Sequence, residues 1–353
     1  LKAGRSAHAR AAAVSHTASL AGSDAGGRAL LRRLGFAQVS SLTALLESLK
    51  LVHFAGALPS NRIASMSCSG GEASLVADSA TGRDIEFPPL STGQQAALRE
   101  ALGPMVSLAN PLDYHTYIWD NVPAMACTFT AMLSGDLALG CVVADFPRTD
   151  RCSMEAWECI ITASATAARD SGKPLALIAT LPEALPEPVA LRGIEAGLVP
   201  LLGLDDALSA IEVAAFLGRP RRDPAPLLLP GAPRAPVTLS EAEAKAALAR
   251  HGVAVPNALR AGDDAALQDA EQRIGAPLAI KAEGLAHKTE AGGVVLARDD
   301  AAAAIATARA MPCESWLVEE MITDGLVELL VGVTRDPAHG FVLTLGAGGT
   351  LTD

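Results

Sequence analysis

Leu137-Ala138-Leu139-Gly140-Cys141-Val142-Val143-Ala144-Asp145-Phe146 is the strongest strand signal in the chain, an apolar run that closes on an aspartate and continues into Pro147-Arg148-Thr149-Asp150-Arg151. Working outward, the pattern after it predicts a helix over Met154–Asp170, a strand over Pro174–Thr180, and a further strand and helix ending near Leu217. Before it, Arg62–Cys68 reads as a buried strand that runs into Ser69-Gly70-Gly71-Glu72 and a helix over Ala73–Asp78. A turn and helix over Pro88–Leu102 and a short strand over Met105–Leu108 lie between. Strands alternating with helices in this way form a parallel, doubly wound α/β sheet of flavodoxin-like type.

Ligands of such sheets bind beyond the carboxyl ends of the strands. The stretch Ser69, Gly70, Gly71 falls there, where glycines let backbone amides point at a phosphate; an ordinary tight turn reads equally well. Asn110-Pro111 forces an extended or turn conformation at Asn110, which places Asp113 and His115 at the same edge.

Toward the amino terminus, Leu1–Arg10 reads as the end of a strand running into a basic turn. Ser15-His16-Thr17-Ala18-Ser19-Leu20-Ala21-Gly22-Ser23-Asp24 sets one imidazole among small and hydroxylated residues where a helix could begin. A histidine there can take and hand on a phosphoryl group, because a neutral ring nitrogen is a nucleophile and helix amides attract the anion. A capped helix start with an incidental histidine is the alternative. A helix over Gly26–Gly35 and a short strand over Phe36–Val39 follow, then a helix capped by Ser41 whose Leu42, Leu45, Leu46 and Leu49 share one core-facing side.

Six prolines between Gly218 and Val237 mark a stiff linker, since proline fits neither a helix interior nor a central strand. Beyond it, Ser240 and Glu243 form a capping box for a helix that Gly252 ends. A helix over Asp264–Arg273 and a strand over Pro277–Lys281 lead into a glycine-bearing loop. Lys281 could neutralise nucleotide phosphates or be a solvated edge lysine. Trp316–Met321 and Val327–Thr334 read as adjacent strands, followed by a glycine turn at Gly346-Ala347-Gly348-Gly349. The boundaries are 1–57, 58–218, the linker 219–237 and 238–353.

Composition narrows the function. A net charge of -11 argues against a nucleic-acid groove or an anionic membrane as partner. The six cysteines carry no CxxC spacing, so neither a zinc site nor a disulfide framework is indicated, and a reduced cytoplasm fits. No apolar run reaches membrane-spanning length. The chain starts at Leu1 and stops at Asp353 just after a glycine turn, and it reads as a fragment.

The order of the motifs is more specific than any one of them. Lys2-Ala3-Gly4-Arg5-Ser6, the His16 stretch, Ser69-Gly70-Gly71-Glu72, Asn110-Pro111-Leu112-Asp113, His287-Lys288-Thr289-Glu290-Ala291-Gly292-Gly293-Val294, Glu319-Glu320-Met321, Thr334-Arg335-Asp336-Pro337 and the final glycine turn together resemble the ADP-forming (NDP-forming) acyl-CoA synthetases. These are relatives of succinyl-CoA ligase and of ADP-forming acetate–CoA ligase. The resemblance implies the carboxyl-terminal part of one flavodoxin-like ligase subdomain, all of a second, and the first part of an ATP-grasp domain. It further implies a CoA-binding domain upstream and magnesium-ligand carboxylates downstream, with none inside the chain, so that the chain alone would make no acyl-CoA.

Carried over by position, the resemblance makes His16 the phosphohistidine and His287 a relay for the phosphoryl group. Ser15, Thr17, Ser69, Gly70 and Gly71 would surround the phosphate, and Lys281, Glu319, Glu320 and Glu328 would contact the nucleotide. Asn110, Asp113 and the Asp145–Arg151 loop would shape the pocket for a small carboxylic acid; the loop could equally be a salt-bridged surface. ATP or ADP, Mg2+ and CoA are the implied cofactors and substrates, and the full-length protein is expected to be a cytoplasmic homo-oligomer. Two departures stand out: Ala7 replaces a glutamate that orients the active histidine, and Ala18 replaces a glycine. The missing carboxylate raises a second reading, a non-catalytic ligand-sensing portion of an acetyltransferase-fused regulatory protein.

Overall fold

The computed structural model describes residues 1–17, 22–221, 223–224, 226, 231–232, 235–284, 292–299 and 301–349, with 13–17 as backbone only. Two compact units divide the chain at residues 228 and 229, the second excluding the hairpin tip 336–340. The division falls inside the proline-rich stretch.

The first unit opens with helices. Alanine has the highest helix propensity, and the alanine-rich run after Ser6 forms α1 (Ala7–Thr17), with the Ser6 hydroxyl accepting the Ala9 N–H at 3.1 Å. The strand and basic turn read over Leu1–Arg10 are therefore not formed, and His16 lies in the last turn of a helix instead of its first. In α2 (Asp24–Arg33) the Ser23 side chain accepts the Gly26 N–H, so the helix starts before the predicted Gly26. Phe36–Val39 is not a strand; its backbone finds no ladder among the described residues. In α3 (Leu42–Ala55), capped by Ser41 as predicted, the inward face carries Ala44, Glu47, Ser48 and Leu51, while Leu42, Leu46 and Leu49 are exposed. The reason is an anchor: buried Glu47 accepts the Leu202 N–H at 2.9 Å, which turns the small-residue face inward.

The remaining elements alternate. They are β1 (Ile63–Ser67), α4 (Gly70–Ser79), α5 (Thr92–Leu102), β2 (Leu112–Asp113), α6 (Val122–Leu133), β3 (Leu139–Val143), α7 (Glu158–Ser171), β4 (Leu175–Ala179), α8 (Glu187–Glu195), β5 (Val199–Leu202) and α9 (Leu204–Gly218). The strands form one sheet in the order β2-β1-β3-β4-β5, all parallel, with Ile63 opposite Leu139 and Leu177 opposite Pro200. Strand side chains alternate between two cores. Met66, Val142 and Leu177 pack with Phe129 and Ile160 on one face, and Ile63, Leu139 and Cys141 pack with Leu51, Leu208 and Ile211 on the other.

Met105–Leu108 forms no strand; the edge is the two-residue β2. The Asn110 amide takes the place of a longer ladder on β1. It accepts the Ser65 N–H at 3.1 Å and donates to the carbonyls of Ile63 at 2.9 Å and Pro88 at 3.3 Å.

The second unit contains α10 (Glu241–Arg250), β6 (Ala258–Ala261), α11 (Asp264–Ile274), β7 (Leu278–Ala282), β8 (Val294–Ala297), α12 (Ala301–Ala308), β9 (Trp316–Glu320), β10 (Leu329–Asp336) and β11 (Gly340–Ala347). The Ser240–Glu243 capping box is present. Antiparallel strands lie in the order β6-β9-β7-β8, with Leu267, Ala270, Ala304 and Ile305 of α11 and α12 in their core. The two strands read as adjacent near the carboxyl end do not pair: β6 and β7 occupy both edges of β9, so β10 joins β11 in a separate ribbon.

Gly218 ends α9 against the Leu58 loop, whose N–H donates to the Ala214 carbonyl at 3.0 Å. A Cβ on Gly218 would stand 1.8 Å from the Leu58 carbonyl oxygen. Backbone cannot yield as a side chain does, so Gly218→Ala should destabilise the first unit by about 3 kcal/mol, read by denaturant unfolding.

Candidate functional site

In a sheet of order 2-1-3-4-5 the chain reverses direction between β1 and β3, and the crevice beyond their carboxyl ends is the ligand-binding place. Here β1 delivers Cys68, Ser69 and the start of α4, β3 delivers Asp145, and β2 delivers Asp113, Tyr114 and His115. The glycines predicted to make a turn are themselves the first turn of α4, capped by Ser69, whose side chain accepts the Glu72 N–H at 3.4 Å. A Cβ on Gly70 would lie 3.1 Å from Asp113 Oδ2, a tight contact with the end of a side chain, whereas one on Gly71 would meet Ser69 Oγ at an ordinary 3.5 Å.

Asp113 and His115 reach the edge as predicted from Asn110-Pro111. Asp113 Oδ1 accepts the His115 N–H at 2.9 Å, and His115 Nε2 lies 3.7 Å from Asp113 Oδ2. Asn110 is different: its amide is spent on the backbone of the sheet edge and orients the segment that follows. Asp145, at the end of β3, accepts the N–H of Thr180 at 2.7 Å and its hydroxyl at 2.5 Å.

Glu72 was quoted in the sequence motif but given no role, and it is the most perturbed carboxyl of the crevice. Burial, then the charges of Asp145 and Asp113, push its pKa up to about 7. Its Oε2 is buried and has no hydrogen-bond partner among the described residues, and the same is true of the Tyr114 hydroxyl. Burial also pushes the Cys68 thiol up to about 11, with Glu72 adding to it, so Cys68 is a thiol at neutral pH and a poor nucleophile.

Aromatic residues gather beside these groups. The chain has two tyrosines and three tryptophans, and both tyrosines and two of the tryptophans lie between residues 114 and 157. His115 stacks on the exposed ring of Tyr117 with centroids 5.2 Å apart. Trp119 and Trp157 meet edge to face at 5.8 Å, and Trp157 Nε1 donates to the Asp145 carbonyl at 3.1 Å.

The second unit assembles a different cluster. Lys281 Nζ lies 2.7 Å from both Glu241 Oε1 and Glu319 Oε2. Lys245, which the sequence reading passed over, reaches the same two carboxylates at the same distance. Burial opposes the Lys281 charge, but hydrogen bonds to Glu241 and Glu319 outweigh it and raise its pKa. Glu320, the next residue on β9, points to the opposite side. Its carboxylate accepts the Asn257 N–H at 2.9 Å and the Asn257 side-chain amide at 2.8 Å. Glu328 precedes β10, where its carbonyl accepts the Gly348 N–H at 2.8 Å. These three glutamates therefore do not share one pocket wall. The side chains of Ser15, His16 and Thr17, and all of His287, lie outside the described residues.

Residues 234–353 match the family model of an ATP-grasp domain, and residues 1–52 match that of a succinyl-CoA ligase-like flavodoxin domain. Across 372 residues and 99% of its length the chain is 28% identical to the trans-feruloyl-CoA synthase FCS1 of an unknown prokaryotic organism, covering 52% of that protein. It is 35% identical over 114 residues to the alpha subunit of ADP-forming acetate–CoA ligase II of Pyrococcus furiosus, over 32% of this chain and 24% of that one. The phosphate- and ADP-bound dinucleotide-forming acetyl-coenzyme A synthetase 1 of Ca. Korarchaeum cryptofilum superposes with a TM-score of 0.50 at 18% identity, over 61% of this chain and 46% of that one, a likeness of fold. The chain thus spans about half the length of the synthase it matches end to end. A flavodoxin-like ligase domain joined to an ATP-grasp domain defines a CoA-ligase class of protein. Within that class, the chain resembles the ADP-forming acyl-CoA synthetases, to which the acetate–CoA ligase subunit named above belongs.

Two outcomes are expected of the clusters. The raised pKa of Glu72 means that the native state holds a proton the unfolded chain has lost, so its contribution to stability is present below pH about 4.5 and is lost as pH rises through about 7. Glu72→Gln should leave the melting temperature unchanged at pH 4 and raise it at pH 8. In the second unit, Glu319→Ala leaves two ammonium groups facing one carboxylate, and should cost about 3 kcal/mol in urea unfolding.

Proposed function

We propose that this protein is an acid–CoA ligase of the ADP-forming type, acting in the cytoplasm on a carboxylic acid, ATP and CoA. The observation that carries the reading is the pairing of the two ligase-type domains in one chain. The domain limits follow the sequence reading: the end of one ligase subdomain to residue 57, a second over 58–218, a linker over 219–237 and an ATP-grasp portion from 238.

In this proposal a histidine ring nitrogen attacks the γ-phosphorus of ATP, an N–P bond forms and ADP leaves with the electron pair of the broken P–O bond, His16 being the carrier and His287 a second relay. A carboxylate oxygen of the acid then attacks phosphorus, an O–P bond forms, the N–P bond breaks, and His16 regains a neutral ring. The CoA thiolate attacks the acyl carbon, a C–S bond forms, and inorganic phosphate leaves with the electron pair of the C–O bond. The amides of Gly70 and Gly71 at the α4 start suit the phosphoryl group, and Ser69 keeps that helix end fixed. Glu72, half in its acid form near neutrality, can donate a hydrogen bond to an anion where a carboxylate would repel it. Asp113 lies across from it to shape the acid pocket, with Asn110 as its positioning residue.

Tyr117, Trp119 and Trp157 offer flat apolar surface at this edge, which suits an aromatic acid. The match, over 99% of this chain and about half of its partner, to a protein named trans-feruloyl-CoA synthase supports that substrate class. In the second unit Lys281 and Lys245 are the cations suited to nucleotide phosphates. A magnesium ion is implied by nucleotide chemistry, but Glu319 has both oxygens on ammonium groups, and no cluster of three or more potential ligands exists among the described residues.

The test is labelling of the full-length protein with γ-phosphate-labelled ATP and magnesium. Acid-labile, base-stable label that disappears in His16→Ala, together with trans-ferulate-dependent loss of free CoA thiol, is the expected result. Wild-type protein that binds nucleotide but takes up no label would overturn the phosphohistidine route.

A further inference from the structure

The basic segment before α1 is given no chemical role in the ligase reading, yet it lines a cavity. Within the first unit, a cavity of about 840 Å3 is bounded on one side by this segment and α2 and on the other by α9 and the loop after α4. That volume lies in the range of sites for small organic ligands, which runs from about 300 to 1,000 Å3.

Its two walls differ in charge. On the α9 side the cations are already engaged: Arg83 donates to Ser209 and Glu212, both at 3.0 Å, and Arg219 pairs with Asp84. Among the described residues lining the α2 side, Lys2, Arg5, Arg28 and Arg32 face a single carboxylate, Asp24, a surplus of three positive charges in a chain of net charge -11. Asp24 neutralises them weakly. It stands 3.9 Å from Arg5 and 3.7 Å from Arg28, beyond hydrogen-bonding distance in both cases. Arg28 and Arg32 are one helical turn apart on one side of α2, and both line this cavity together with Lys2 and Arg5. Guanidinium groups bind phosphate oxygens in pairs through a planar fork of donors.

We propose that this cavity is a binding site for a ligand bearing a diphosphate group, held by Lys2, Arg5, Arg28 and Arg32. One phosphate group carries about -1.5 to -2 charges, so a surplus of three calls for more than one. The ring of Phe36, 58% exposed on the same wall, gives a base or other flat group a surface to cover. The site is separate from the crevice beyond β1 and β3 and from the Lys245–Lys281 cluster, and its occupancy can be read without turnover.

Inorganic pyrophosphate is the first probe, titrated calorimetrically into the full-length protein carrying Lys281→Ala, which weakens phosphate binding in the second unit. We expect binding that weakens as salt rises from about 50 to about 300 mM, as the shortening Debye length screens exposed charges. Adding Arg28→Ala with Arg32→Ala should weaken it about tenfold or more, the loss of two charge-assisted forks. Both arginines are on the exposed side of α2, and alanine favours the helix, so circular dichroism should report an unchanged fold. Charge reversal at the same positions should abolish binding. Absence of pyrophosphate binding, or binding unaffected by the arginine substitutions, would overturn the proposal. Displacement by ADP would point to a nucleoside diphosphate, and displacement by 3′-phosphoadenosine 5′-diphosphate alone to the nucleotide end of a coenzyme A. Displacement by neither would overturn a nucleotide source for the diphosphate.

Discussion

The side-chain amide of Asn110 occupies the edge of β1 where another strand would otherwise pair, and the crevice depends on that substitution. By engaging the backbone at Ile63 and Ser65 it ends the sheet after two residues of β2. The chain then carries Asp113 and His115 to the edge beside the start of α4, with Tyr114 between them buried in the core. A longer edge strand would have kept those side chains alternating across a sheet, with Asp113 and Glu72 on separate surfaces. Polar side chains that replace main-chain partners in this way satisfy backbone groups and fix a direction at once.

Around that edge, the acidity of the crevice follows from crowding. Glu72, Asp113 and Asp145 come from three different segments, and all lie close to the partial positive charge at the start of α4. Burial first, and then the charges of Asp145 and Asp113, let Glu72 hold a proton into the neutral range. Cys68 and Tyr114 beside it shift in the same direction, chiefly because burial disfavours their ionised forms and then because either would add another negative charge.

Much of the first unit was legible because strands buried on both sides of a parallel sheet must be continuously apolar. The runs at Arg62–Cys68, Leu137–Phe146 and Pro174–Thr180 each contain the strand they announced, shortened at the ends. What failed depended on tertiary partners. Two apolar stripes run along α3, and a buried hydrogen bond from Leu202 to Glu47, distant in sequence, decides which faces inward. The pairing of β10 could not be read because it depends on both edges of β9 being taken. At α1 the helix propensity of a run of alanines after a serine cap outweighs the strand-and-turn pattern. Of the candidate site residues, Asp113 and the Ser69–Gly71 stretch were readable from strand-end position; Glu72 and Lys245 were not, because burial and a partner from another element give each its character.

The quartet of Lys245, Lys281, Glu241 and Glu319 has a consequence of its own. Two ammonium and two carboxylate groups cancel, so this end of the second sheet projects little field into solvent and does not draw anions from a distance. A phosphate that reaches Lys281 gains a contact only by loosening a carboxylate already held at 2.7 Å. The free energy available is then the difference between two similar charge-assisted pairs, far smaller than either alone. Recognition at such a place is an exchange of partners, and it favours ligands that make several contacts elsewhere over a lone anion of the same charge.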